Sequence, residues 1–313
     1  MDVLAPRLIA AFLAWSAMLS QDPSSSACGQ SAAITVEPAA PRLGALFRVR
    51  LRDADDDAEL SGEASGEPLH FTRTSGVAES FAAVPVDGPD SISIVVRCSV
   101  SGSIDSLTTR AATRRGAYRI ERLTVAPGFG RTPDSALAAR IDRESARARE
   151  VAERSHETPR LWREAFARPR DSRITSGFGH GREFNGTITS RHMGTDFAGA
   201  VGAPVRATNR GVVRIVDEFY YGGKVVYLDH GAGLTSAYLH LSSQLVAVGD
   251  TVARGQTIGR VGATGRVTGP HLHVIVRYGG ITVDPLSLFQ SSNAGASSPR
   301  STAPRGPGDM DRP

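Results

Sequence analysis

The stretch His271-Leu272-His273-Val274-Ile275-Val276 decides how the second half of the chain is read. It is a valine-rich segment of the kind that forms a strand. On a strand, positions i and i+2 share a face. His271 and His273 would then stand side by side, roughly 6.5–7 Å apart at Cα from a rise of ~3.3 Å per residue. Leu272 would point the other way, into a core. Similar valine-rich segments surround it: Gly211 to Val216, Lys224 to Leu228 and Val246 to Val248, alternating with tight turns. Residues 172–289 are therefore predicted to form a compact antiparallel β domain. Six of the eight histidines fall inside it: His180, His192, His230, His240, His271 and His273.

A second pattern lies upstream. His192-Met193-Gly194-Thr195-Asp196 places an imidazole and a carboxylate four positions apart, on one face if the segment is a strand. Gly194 leaves that face open. A His-Asp pair and a His-His pair on neighbouring strands supply three ligands and a spare imidazole. Three N/O ligands with an open fourth position suit a catalytic Zn²⁺; a closed set of four would be structural. No cysteine lies in this region, so thiolate zinc sites are excluded. Either pattern alone occurs by chance among solvated histidines, but the two together, in this order, are specific. Competing chemistries fail. His156-Glu157 is followed by Thr158, Pro159 and Arg160, so H-E-x-x-H is absent, and no G-x-S-x-G elbow occurs. Gly177 to Gly181 and Gly262 to Gly265 do not open a helix after a strand, so they read as turns rather than phosphate loops.

These residues resemble the lysostaphin/LytM-type zinc metallopeptidases, which are peptidoglycan endopeptidases. That family carries H-x3-D, then Y-x-H, then T-G-x-x-T/S-G-P-H-L-H. Here the motifs read His192 to Asp196, Tyr238-Leu239-His240, and Thr264-Gly265-Arg266-Val267-Thr268-Gly269-Pro270-His271-Leu272-His273. The likeness spans about residues 172–289. It implies that His192, Asp196 and His273 hold one Zn²⁺ and that His240 and His271 are unliganded catalytic histidines. One of the two would act as general base, and the other would stabilise the oxyanion or protonate the leaving amine. Relatives that have lost ligands serve as amidase activators; all five positions are intact here. Val274 departs from the family, which often has Phe or Trp there. His230, before a Gly-Ala-Gly turn, reads as structural. His180 and Asn185, ahead of the ligand segment, could shape the groove, or Asn185 could approach the metal.

The rest of the chain sets the context. Of 313 residues, 36 are basic, yet Lys224 is the only lysine. A Walker loop would need a glycine where Glu218 stands, and lipoyl- or biotin-carrier chemistry has no lysine near the turn at Val248 to Ile258. The net charge of +4 is compatible with an anionic polymer, but aromatics total 6% and are not interleaved with the arginines, so no nucleic-acid partner is expected. Residues 1–27 read as a signal peptide: Arg7, then the apolar run from Leu8 to Leu19, then Ser25-Ser26-Ala27 as a cleavage site. No other segment is apolar enough to span a membrane. The expected location is the periplasm or cell envelope, or outside the cell. Cys28 could be lipidated, although Ser25 stands where a lipobox wants leucine, or it could pair with Cys98.

Residues 31–128 read as a β-sandwich-like accessory domain. Phe47, Val49 and Leu51 alternate with arginines, Ile92, Ile94 and Val96 repeat the pattern, and Tyr118 to Val125 suggests a further strand. His70 stands alone in it and reads as solvated or satisfied. Residues 132–160 form a helical connector, with Thr132 as cap and Pro133 in the first turn. Residues 291–313 are polar and predicted to be disordered. The expected fold class is mainly β: a sandwich, a connecting helix and an antiparallel β metallopeptidase domain. The function this implies is hydrolysis of peptide bonds in peptidoglycan. The alternative is a non-catalytic wall-binding module or an activator of another hydrolase.

Overall fold

The computed structural model describes residues 26–293, apart from Arg131 and Thr187. The signal-peptide reading and most of the predicted tail fall outside them. Residues 291–293, assigned by sequence to that tail, instead form the end of a helix.

The first half is a sandwich of two four-stranded antiparallel sheets. One contains β1 (Ala33–Glu37), β2 (Leu46–Arg52), β5 (Thr72–Thr74) and β6 (Val77–Ala83). The other contains β3 (Glu59–Ala64), β4 (Glu67–Pro68), β7 (Ser91–Val100) and β8 (Ser103–Ala112). The period-two patterns explain the packing. Phe47, Val49 and Leu51 of β2 meet Ile92, Ile94 and Val96 of β7 in one buried core. A disulfide joins Cys28 to Cys98 on β7, with both cysteines fully buried. That bond occupies the sulfur a lipid thioether would need.

β9 (Ile120–Leu123) departs from expectation. It does not join the sandwich. It crosses to the second half and pairs in parallel with β11 (Gly181–Phe184), which pairs in turn with β12 (Ile188–Arg191). Ile120, expected on a further strand of the sandwich, is 72% exposed.

After β9, a short 3-10 turn leads to α1 (Ser135–Arg154). The cap is Asp134 rather than Thr132: Leu137 N–H donates to its Oδ1 at 2.8 Å. Ala148 and Ala152 are buried, and Ala148 packs on Ile215, Phe219, Val225 and Tyr227 of the following sheet. Glu144 interrupts the apolar stripe because its carboxylate accepts from Arg140 and from the backbone N–H of Tyr220. Just past the last turn, Ser155 donates to Asp229 Oδ1 at 2.7 Å.

The second half is built on a ten-stranded sheet. Its strands are β10 (Ile174–Ser176), β13 (Thr195–Ala198), β14 (Pro204–Arg206), β15 (Gly211–Phe219), β16 (Gly223–Gly231), β17 (Leu234–Gln244), β18 (Thr251–Val252), β19 (Thr257–Val261), β20 (His271–Tyr278) and β21 (Ile281–Val283). The spatial order along the main path is β10-β13-β20-β17-β16-β15-β18, and its pairings are antiparallel. Val246 to Val248, read as strand-like, lies outside the strands. Leu272, Val274 and Val276 of β20 are fully buried in the main core, as the alternation requires. Val274 is a core residue there.

The two halves are packed together. Leu46 and Ala83 of the sandwich share the main core with Trp162 and Phe166. α2 (Pro285–Asn293) lies against β2, where Leu46 N–H donates to Ser287 Oγ at 2.9 Å and Arg42 pairs with Asp284. His70 is not alone. Its Nε2 lies 2.7 Å from His156 Nδ1, and His156 Nε2 lies 2.9 Å from Glu67. No helix among the described residues is long and apolar enough to cross a membrane.

Candidate metal centre

The centre forms where β13, β20 and β17 run side by side. Register places Asp196 opposite His273 and Ala198 opposite His271, while Leu239 lies opposite His273 from the other flank. Asp196 and His273 therefore meet across one strand pair. His192 arrives differently from the strand alternation expected: it lies in the bend between β12 and β13. Gly194 makes that bend feasible, because a Cβ there would fall 2.5 Å from His273 Cε1 and 2.4 Å from the Val274 carbonyl oxygen. Any side chain at 194 would push into the His273 ring.

Three ligand atoms converge. His273 Nδ1 is 2.6 Å from Asp196 Oδ1, His192 Nε2 is 3.1 Å from the same oxygen, and the two imidazole nitrogens are 2.9 Å apart. His192, Asp196 and His273 are all buried, and their ligand atoms lie within 4.8 Å of one another. Two imidazoles and one carboxylate brought together in this way can hold a metal ion, and the donor set suits Zn²⁺. His192 donates from Nδ1 to the Gly177 carbonyl at 2.8 Å, which leaves the lone pair on Nε2 facing its partners.

Electrostatics fit the same role. Burial alone would raise the pKa of Asp196, but the pull of the two imidazoles packed against it, His273 above all, holds it well below the usual carboxylate range. Burial pushes His273 down to about 4, against the pull of Asp196. The site thus favours an ionised carboxylate and a neutral His273, the forms that bind a cation.

His240 and His271 stand beside this trio. Their ring centroids are 4.9 Å apart, and His240 is 5.8 Å from His273. Each has its Nδ1 against a backbone carbonyl: Thr264 for His240 at 2.9 Å, Gly269 for His271 at 2.8 Å. Their Nε2 atoms carry the free lone pairs. Burial, helped by His273 and His271, pushes His240 down to about 3. His240 sits at φ +61°, a left-handed conformation in a buried non-glycine residue of β17.

Other expected positions find plainer roles. His230 is buried, with Nδ1 2.7 Å from the Arg210 carbonyl and Nε2 2.8 Å from Ser236 Oγ. Asn185 turns away from the metal ligands: its side chain accepts from Val125 N–H and donates to Val125 O. His180 Nδ1 lies 3.0 Å from Glu121.

Sequence reasoning missed two residues. Arg182 donates to Asp196 Oδ2 at 2.6 Å, so the oxygen not shared with the histidines is held by a guanidinium. Glu121, on β9, accepts from Ser176 and Arg182 and meets His180. Partial burial opposes its charge, but the bonds from His180 and Ser176 and the Arg182 cation hold its pKa below the ordinary value. Nothing local marks either residue; Glu121 lies in a segment that reads as part of another domain.

Residues 190–285 match the sequence model of Peptidase family M23. The peptidoglycan DD-endopeptidase ShyA of Vibrio cholerae is 48% identical over 121 residues, which is 36% of this chain and 28% of that protein. The chain carries a Peptidase family M23 domain. ShyB of the same organism, also named a peptidoglycan DD-endopeptidase, is 47% identical over 109 residues, 33% of this chain and 25% of that protein. The chain thus spans between a quarter and a third of the length of these M23 relatives. Among solved M23 structures, one from Pseudomonas aeruginosa shares the fold: TM-score 0.62 at 24% identity, covering 80% of this chain and 96% of that one. The catalytic domain of lysostaphin from Staphylococcus simulans is 33% identical, with 39% of this chain and 94% of that one covered and a TM-score of 0.36.

Proposed function

We propose that the chain is an exported zinc endopeptidase that hydrolyses peptide bonds in the stems or cross-bridges of peptidoglycan, acting in the periplasm or cell envelope. The observation that carries this reading is the convergence of His192, Asp196 and His273 beside a second pair of histidines, His240 and His271, each anchored through Nδ1 to a backbone carbonyl. The named activity of the V. cholerae relatives supports the substrate class.

The division of labour follows from the chain's own groups. A zinc ion bound by His192, Asp196 and His273 would polarise the scissile carbonyl and lower the pKa of a water toward ~7. His240 and His271 each hold one ring proton on a backbone carbonyl, so each presents an Nε2 lone pair at the cleft. One takes the proton of the attacking water on its Nε2, and the other, once protonated on Nε2, donates to the developing oxyanion or the departing amine. Arg182 holds the second oxygen of Asp196 and so keeps the carboxylate oriented.

The test uses the purified chain lacking its predicted signal. About one zinc per chain should bind, and soluble muropeptides should be released from peptidoglycan, with His273→Ala losing both. Full hydrolysis by a zinc-free protein would sink the mechanism. Zinc binding with no cleavage of any wall preparation would turn the reading to an activator of another hydrolase.

A further inference from the structure

Arg266 occupies an unusual place. Its guanidinium carbon lies 4.2 Å from the centroid of the Phe184 ring and 4.0 Å from that of Tyr221. Its backbone N–H donates to the Tyr221 carbonyl at 2.9 Å, which fixes the base of the side chain. It lines both lobes of the cleft. One lobe, of about 410 Å³, also reaches Asp196 and His271; the other, of about 180 Å³, reaches His192, His240 and His273. A peptide whose scissile carbonyl sat at the metal ligands would pass this guanidinium.

The neighbouring arginines are already paired. Arg182 is bound to Asp196 and Glu121, Arg122 to Glu183, and Arg191 to Asp87. Arg266 has no carboxylate partner among the described residues; its contacts are the two rings and the backbone bond. Burial lowers its pKa, with Arg182 adding like-charge repulsion. The rings offer cation–π attraction but accept none of the in-plane N–H donors. A half-buried cation with its faces covered and its fork unused is pre-organised for a planar, bidentate acceptor.

We infer that Arg266 reads a free carboxylate on the peptide within one or two residues of the scissile bond, so that the enzyme selects acidic cross-links over neutral ones. This rests on the endopeptidase reading above and adds the substrate feature that the metal ligands themselves cannot distinguish.

Two cross-linked muropeptides that differ only at a residue beside the scissile bond, one with a free carboxylate and one with the carboxamide, test it on the zinc-loaded full chain. The wild type should favour the carboxylate peptide by about tenfold or more in kcat/KM, the scale of a charge-assisted bidentate pair. Arg266→Gln should bring that ratio close to one, chiefly through KM, and Arg266→Lys should restore only part of it. Zinc content and melting temperature of the variants check folding. No preference in the wild type, or a full preference in Arg266→Gln, would overturn the inference. If the wild type cleaves neither peptide, the endopeptidase reading fails, and equilibrium binding of the same pair still decides Arg266: tenfold tighter binding of the carboxylate peptide, lost in Arg266→Gln, upholds it. Equal binding, or no binding, overturns it.

Discussion

Arg182 holds one oxygen of Asp196 at 2.6 Å while the other oxygen faces His192 and His273. The guanidinium thus sets which edge of the carboxylate is presented to the cation, from a strand that contributes no ligand of its own. Outer partners of this kind typically govern metal affinity by 10–100-fold, by order of magnitude. Arg182→Ala should weaken zinc binding by about that factor in a competition titration, with the fold retained by circular dichroism. Unchanged zinc affinity would show that the ion pair is incidental.

The ligands and their histidine neighbours should separate by readout. His240→Ala and His271→Ala should keep zinc near one per chain yet lower kcat by roughly 10²–10⁴-fold, the usual scale for a lost acid or base. His192→Ala should lose the metal and the activity together. Chelation should abolish hydrolysis in the wild type and added zinc should restore it. Loss of zinc from His240→Ala would move that residue into the ligand set.

Stability should fall in acid, and the direction follows from burial. His230 is fully buried and its pKa is pushed down to about 4. The unfolded chain, with an imidazole near ~6.5, therefore binds more protons than the folded one below that pH. The stabilisation is complete above about pH 6.5 and is lost as pH falls towards 4, by about 3 kcal/mol for a shift of this size. His230 lies outside the ligand trio, so saturating zinc should not remove its contribution. Melting temperatures followed from pH 7 to 4 in excess zinc should drop for the wild type and drop less steeply for His230→Ala. Equal slopes would remove His230 as the cause.

The Cys28–Cys98 bond closes a loop with a sequence separation of 70 residues. Cross-links of this kind typically contribute about 2–4 kcal/mol, largely by restricting the unfolded chain. Reductant, or Cys98→Ser, should lower the denaturation midpoint of the sandwich accordingly. An unchanged midpoint would show that packing around the two cysteines suffices without the bond.

The convergence of the candidate ligands was legible because their geometry follows largely from short-range rules. His271 and His273 share a face through strand alternation, and Gly194 stands where a Cβ would strike the His273 ring. His192 joins the cluster for a different local reason than the one expected, since a bend rather than a strand aims it. The sandwich strands were equally readable from Phe47, Val49 and Leu51. What escaped were contacts made at long sequence separation. His70 looked solitary because its partner, His156, lies 86 residues away. Arg182 and Glu121 are ordinary charged residues until the fold brings them together, and periodicity carries no information about which strand a short edge segment will join.

The parallel pairing of β9 with β11 has a consequence for what counts as the unit of catalysis. Cut away everything before residue 172 and the excised fragment keeps every ligand and both free histidines. It loses Glu121, and with it the acceptor that Ser176, His180 and Arg182 share. It also bares the edge of β11, an open row of donors and acceptors on which another chain could assemble. The five residues that mark the family are therefore a portable signature, while the wall that steadies them is borrowed from a segment belonging, by sequence, to a different domain.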